Sequence, residues 1–154
     1  MPHVARFSVP YIDVRSLIAA TPEFYEYPTC DRDPLPYWSS GRVTLLGDAA
    51  HPMLPHLGQG ANQSIEDGMA LATILARTDG ASAPQGLLAY ERLRRDRVAQ
   101  VQRGARENGL RYDSVHSDLG VRDAEITAHA AFRRRLYDHD VVPDAQAAAA
   151  ALLA

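Results

Sequence analysis

One segment constrains this chain more than any other: GRVTLLGDAAHPMLPHLGQGANQSIED, residues 41–67. Gly41 opens an aliphatic run, Val43-Thr44-Leu45-Leu46, which Gly47-Asp48 closes. A short run bounded by glycine in this way fits a strand buried on both faces. A Pro- and Gly-rich loop follows from Pro52 to Gly60, and a helix is expected from Ala61 to about Arg77. Ile65, Met69 and Ala72 fall on its expected inner face, widened by Leu71, Ile74 and Leu75. Open α/β sheets place their ligands where such a strand ends. Asp48, at that position, can accept hydrogen bonds from the hydroxyls of a sugar or polyol. Gly58 and Gly60 let bare backbone approach a ligand, and the helix start aims its N–H groups and positive dipole end into the same space. The site suits a planar ligand with a polyol arm and an edge that gains negative charge. A tight strand–helix turn with a capping aspartate would use the same residues, and the residues alone leave both readings open.

The rest of the chain is mostly helical in pattern. Asp13 caps a short helix that runs to Ala20, and Thr21-Pro22 stops it. Phe24–Pro28 alternates aromatic and polar residues, as an edge strand does. Residues 31–40 read as an irregular loop, with Trp38 anchoring it on something apolar. Pro84 suits the first turn of a long helix that reaches Asn108, with Gly109 as its stop. Leu87, Tyr90, Val98, Val101 and Ala105 supply its contacts, and Glu91 with Arg95 forms a favourable i,i+4 pair. A further helix is expected over Val121–Leu136. The Ala- and Leu-rich tail from Asp144 has high helix propensity but little to bury, so a frayed helix is expected. A strand buried on both faces needs neighbours, and only Phe24–Pro28 offers one. The chain reads as a piece of a larger α/β protein.

Charge and composition exclude several classes. A net charge of −3 over 154 residues gives no reason to expect a nucleic-acid partner. The arginines between Arg92 and Arg97 read as a solvated helix face rather than a phosphate site. No apolar run reaches the roughly 18–20 residues of a membrane span. The start, MPHVARFSVPYID, lacks the pattern of a signal peptide. Cys30 is the one cysteine, which rules out an internal disulfide and reads as a resting thiol. A cytoplasmic protein is the expectation. His51 and His56 lack metal-ligand spacing, so no metal is expected. His51 reads as a packed loop residue. His56 follows Pro55 and either packs in the loop or touches a substrate. His116, His129 and His139 receive no role.

Gly47-Asp48-Ala49-Ala50-His51-Pro52, then Pro55-x-x-Gly58-Gln59-Gly60-x-Asn62, then Glu66-Asp67, closely resembles the second FAD motif of class A flavoprotein monooxygenases. Residues 31–35 with Trp38 are similar to that family's approach to the strand. Tyr90-Glu91 with Arg94, Arg95 and Arg97 is similar to its long following helix. Leu136-Tyr137 and Asp140-Val141 are similar to its closing segment. The resemblance implies an α/β fragment, mostly helical. It would be the last strand and C-terminal helices of an FAD-binding Rossmann-like fold of the para-hydroxybenzoate hydroxylase type. On that basis residues 1–40 would end a substrate domain, 41–143 would belong to the FAD-binding domain, and 144–154 would be a tail.

The resemblance also implies chemistry. NAD(P)H would reduce FAD, and one atom of O2 would pass to an activated aromatic substrate. Asp48 would hold the ribityl chain, and Pro55 would lie beside the reactive edge of the isoalloxazine. Gly58, Gln59 and Gly60 would line the ring. Backbone N–H groups at Ala61 and Asn62 would stabilise negative charge at flavin N1 and O2. Pro55 and His56 would face the reaction. The family's G-x-G-x-x-G fingerprint and its Asp-Gly motif are absent, Arg135 replaces a frequent aromatic, and Asp96 replaces a frequent proline. Weak FAD binding by this chain alone is therefore expected, with a separate N-terminal half or self-association completing it. A helical, non-enzymatic oligomerising module is the alternative, and a domain for another polyol or nucleotide ligand is a third reading.

Overall fold

The computed structural model describes residues 10–115 and 118–152. Most of the N-terminal stretch MPHVARFSVPYID and His116 lie outside these residues. Five helices carry the chain: α1 (Val14–Ala20), α2 (Gly60–Leu75), α3 (Ala83–Tyr112), α4 (Leu119–Tyr137) and α5 (Val141–Ala151). The sheet among the described residues is one antiparallel pair, β1 (Ser39–Ser40) and β2 (Val43–Thr44), with Ser39 opposite Thr44 and Ser40 opposite Val43. The molecule is thus mostly helical, with a hairpin where an α/β sheet is expected.

The strand expected over Val43–Leu46 is cut to Val43–Thr44, and burial on both faces does not occur. Val43 is 67% exposed, and Leu46 also reaches solvent. Only Leu45 reaches the core, and its N–H donates to Trp38 O at 3.1 Å. An aliphatic run reads the same whether or not its neighbours are present, and here the turn at Gly41 folds it onto Ser39–Ser40 instead. The edge strand expected at Phe24–Pro28 is irregular, with Phe24, Tyr25 and Tyr27 exposed. Among the described residues it pairs with neither strand of the hairpin.

α1 forms as its cap predicts: the Asp13 carboxylate accepts from Ser16 N–H at 3.1 Å. α3 runs through Gly109 rather than stopping there, so the expected C-terminal stop is corrected. The His56 imidazole lies over this position: a Cβ at residue 109 would sit 2.2 Å from His56 Nδ1. The glycine makes room for a ring rather than ending a helix. The apolar contacts read from α3 are in place, with Leu87, Tyr90, Val98, Val101 and Ala105 all buried. The Glu91–Arg95 pair forms at 3.4 Å.

Two further expectations fail for packing reasons. The tail is no frayed helix. α5 starts at Val141, capped by the Asp140 carboxylate on Val142 N–H at 2.9 Å. Its small side chains let it lie close on α2, burying Ala145 and Ala149 in the core with Ala70 and Ile74. The α2 face expected as core or interface is split: Ile65 is 65% exposed and Met69 48%, and Ala72 is exposed as well, whereas Ile74 is fully buried and Leu71 packs on the core. The buried stripe is Gln63, Asp67, Ala70 and Ile74. Trp38 does anchor its loop, packed between His51 and Tyr90 at ring-centroid distances of 5.4 and 5.9 Å. Its N–H group and that of Ser39 both donate to Glu91, at 2.9 and 2.7 Å.

Replacing Ala145 with leucine is expected to overpack the α2–α5 contact and cost about 1–3 kcal/mol. Thermal unfolding followed by circular dichroism should show a lower Tm; an unchanged Tm would mean that α5 does not seat on α2.

Candidate functional site

Between β2 and α2 the chain makes two single-turn 3-10 helices, Gly47–Ala49 and Pro55–Leu57. Gly58 then takes a left-handed conformation, φ 62°, which a side chain would strain. This reversal carries the loop into the first turn of α2. Gln59 occupies the cap position, is buried, and makes no side-chain capping bond. Gln63 N–H, donating to Gln59 O at 2.8 Å, is the first N–H of the helix with a helical acceptor. The N–H groups of Gly60, Ala61 and Asn62 are the unpaired donors that any helix start presents. Ala61 and Asn62 are exposed there.

Asp48 stands at this opening. A Cβ on Gly60 would sit 3.9 Å from its Oδ1, so the carboxylate lies beside the helix start. Asp48 is exposed and takes no hydrogen bond or ion pair among the described residues. Pro55 and Gly58 are exposed on the same loop, and Gly60 is half-buried. Asp48, Gly60, Ala61 and Asn62 thus converge, with an unpaired carboxylate acceptor and unpaired N–H donors side by side. Such a pair of features suits a ligand that carries hydroxyls on one part and negative charge on another. The residues present fit a flavin's ribityl arm and pyrimidine edge.

His56 is turned toward α3. Its Nδ1 lies 3.3 Å from Ala105 O, and its ring meets Tyr112 edge-on at 5.7 Å. A carbonyl only accepts, so Nδ1 carries a proton in this contact. The Asn108 side-chain amide donates to His56 O at 2.7 Å and fixes the loop from the same side.

What holds the loop was not read from the sequence. Asp67, fully buried on α2, accepts from Gly47 N–H at 3.1 Å, from His51 Nε2 at 2.6 Å and from Arg94 Nε at 2.8 Å. Arg94 is also fully buried. It reaches Glu66 at 2.5 Å and Gln63 Oε1 at 2.8 Å. Arg97 bonds Glu66 at 2.8 Å and Leu136 O at 3.2 Å, tying in the end of α4. The solvated arginine face is therefore corrected: Arg94 forms the centre of a polar core. The Gln102 amide adds a hydrogen bond to Pro52 O at 3.1 Å. The missed signal was the helical spacing of Gln63, Asp67, Ala70 and Ile74, a stripe holding an acid that only a buried cation can match.

His51 is the packed residue the sequence suggests, fully buried. His139 faces Glu66 at 3.9 Å, and His129 lies beside Arg111. Among the described residues no cluster of His, Cys, Asp or Glu is arranged to hold a metal. None of the helices described is long and apolar enough to cross a membrane. Cys30 is exposed.

Burial pushes the Asp67 carboxyl up, but hydrogen bonds from His51 and Arg94, the Arg94 charge and Gly47 N–H outweigh it and hold it below its usual range. Glu66 behaves alike: burial opposes, and the Arg97 and Arg94 contacts prevail. Both groups titrate lower in the folded chain than in the unfolded one. The stability they give is therefore complete above about pH 5 and is lost as pH falls through the folded values. Urea unfolding at pH 7 and pH 3 should show this loss, and Glu66→Gln should make the dependence shallower. Arg94→Met is expected to cost about 3–5 kcal/mol, because it leaves the buried Asp67 carboxylate without its cation. A pH-independent midpoint would contradict the role given to this cluster.

Residues 30–105 match the family model of an FAD binding domain. The chain is 46% identical over 95 residues to 6-hydroxynicotinate 3-monooxygenase of Bordetella bronchiseptica, covering 62% of this chain and 25% of that enzyme. To salicylate hydroxylase of Pseudomonas putida it is 38% identical over 135 residues, covering 86% and 31%. A solved salicylate hydroxylase substrate complex superposes with a TM-score of 0.66 at 36% identity, over 75% of this chain and 29% of that one. The chain thus spans between 25% and 31% of these relatives.

Proposed function

We propose that this chain, which is class A FAD-dependent aromatic monooxygenase-like, is the flavin-facing part of a cytoplasmic enzyme that hydroxylates a small aromatic substrate. In the overall reaction NAD(P)H, a proton, O2 and the substrate give NAD(P)+, water and the ring-hydroxylated product. Bound FAD would supply acceptance of hydride and activation of O2. This chain's own residues would position it. Asp48 accepts hydrogen bonds from the ribityl hydroxyls. The N–H groups of Gly60, Ala61 and Asn62, with the α2 dipole behind them, favour negative charge on the pyrimidine edge. Gly58 and Gln59 bring backbone alongside the ring, and Pro55 borders its reactive edge. His56 would act from behind Pro55, its ring packed on α3, by holding that loop against the substrate side.

The observation that carries this reading is the juxtaposition of an unpaired Asp48 carboxylate with the open start of α2. The sequence holds no glycine fingerprint for the ADP part of FAD, so the chain alone is expected to bind FAD weakly. Fluorescence titration with FAD tests this, and stoichiometric uptake by the isolated chain would sink it. Fused behind the N-terminal three-quarters of the 6-hydroxynicotinate relative, the chain should yield a yellow protein. There Asp48→Ala should weaken FAD binding by at least about tenfold; unchanged affinity would remove Asp48 from the site.

A second reading has one observation in its favour. The exposed Ile65 and Met69 on α2 form an apolar face that another chain segment or a second copy would cover. In this reading the chain is a non-enzymatic helical module. Size-exclusion chromatography separates the two: a colourless oligomer that the N-terminal half does not dissociate supports the module.

A further inference from the structure

α4 stands off from α3 and touches it at few points. Phe132 rests on Gly104, and Arg97 bonds the carbonyls of Arg135 and Leu136. Between the two helices is a cavity of about 540 Å³. Its lining includes the aliphatic Leu57, Ile126 and Leu136 and the arginines Arg111, Arg122 and Arg133, with Glu125 as the carboxylate among the described lining residues. Arg122 is paired with Asp123 at 2.6 Å. The Arg133 side chain has no hydrogen bond or ion pair among the described residues.

Arg111 is held in an unusual way. Its NH1 donates to His129 Nδ1 at 3.0 Å, whereas its nearest carboxylate, Glu107, is 4.0 Å away and largely exposed. Burial first, then the charges of Arg111 and Arg133, hold the His129 pKa below its usual value. A neutral imidazole therefore orients the guanidinium without cancelling its charge. The result is a cavity with apolar lining and a cationic side where Arg122 is neutralised by Asp123, Arg111 is only loosely matched by Glu107, and Arg133 is unmatched, the complement of an anion with an apolar tail.

We propose that the space between α3 and α4 is a binding site for an organic anion with an aliphatic tail, distinct from the flavin-facing loop. Only His56 and Leu57 of that loop reach it, and Asp48 and the start of α2 do not. The carboxylate of such a ligand bridges Arg111 and Arg133, and its tail lies on Leu57, Ile126 and Leu136. Calorimetric titration of the 154-residue chain with octanoate, 1-octanol and acetate tests each half of the match. Octanoate should bind at least about tenfold more tightly than either. Arg133→Glu changes an exposed side chain without a partner, so the fold is retained, as circular dichroism can verify. It should raise the octanoate Kd by at least about tenfold. Equal binding of octanol would reduce the site to an apolar gap. Equal binding of acetate would reduce it to a bare anion site. Absent octanoate binding, or an unaffected Arg133→Glu variant, would overturn the proposal. None of these measurements requires flavin, so the flavin reading stands or falls separately.

Discussion

The organisation of this chain depends on one buried ion cluster. Asp67 and Arg94 meet at 2.8 Å with both side chains out of solvent, and Glu66, Gln63 and His51 complete the set. A buried carboxylate or guanidinium is costly unless its hydrogen-bonding capacity is met. Asp67 meets that condition by drawing in Gly47 N–H and His51, which belong to the loop rather than to a helix. The demand of one acid for partners thus fixes where β2 ends and where Asp48 begins.

From there the geometry of the site follows. With Gly47 and His51 pinned to α2, the turn between them holds Asp48 outward, beside the first residues of the same helix. The second half of the loop is pinned to α3 instead, by Gln102 on Pro52 O and Asn108 on His56 O. Pro55 and Gly58 lie exposed between these two sets of anchors. A loop whose backbone is tied at both ends to packed helices is suited to hold a ligand-facing surface in place without ligand contacts of its own.

How much of this was legible beforehand varies by residue. The loop order and the starts of α1 and α3 could be read because each depends on local rules: Asp13 caps the nearest N–H group, and Pro84 falls in a first turn. The α3 contacts were legible because Leu87, Tyr90 and Val98 are apolar at helical spacing. The inner face of α2 was misread for the same reason. Ile65 and Met69 outweigh Asp67 on any hydropathy scale, yet Asp67 is inside, because Arg94 on another helix neutralises it. Within residues 60–75 only the spacing of Gln63, Asp67, Ala70 and Ile74 hints at it, and the cation that makes that stripe buriable lies on α3. The Ala-rich tail was misjudged likewise: small side chains offer little area, but they allow close helix approach, which depends on a partner.

The sequence by itself determined the loop's chemistry and the family likeness, because glycine, proline and aspartate act through their own backbone and immediate neighbours. Tertiary structure alone decided which charges are buried, why Gly109 faces the His56 ring instead of ending α3, and where a cationic cavity opens between α3 and α4. Those outcomes depend on distances between residues tens of positions apart, and a linear pattern of residue types carries no such distances.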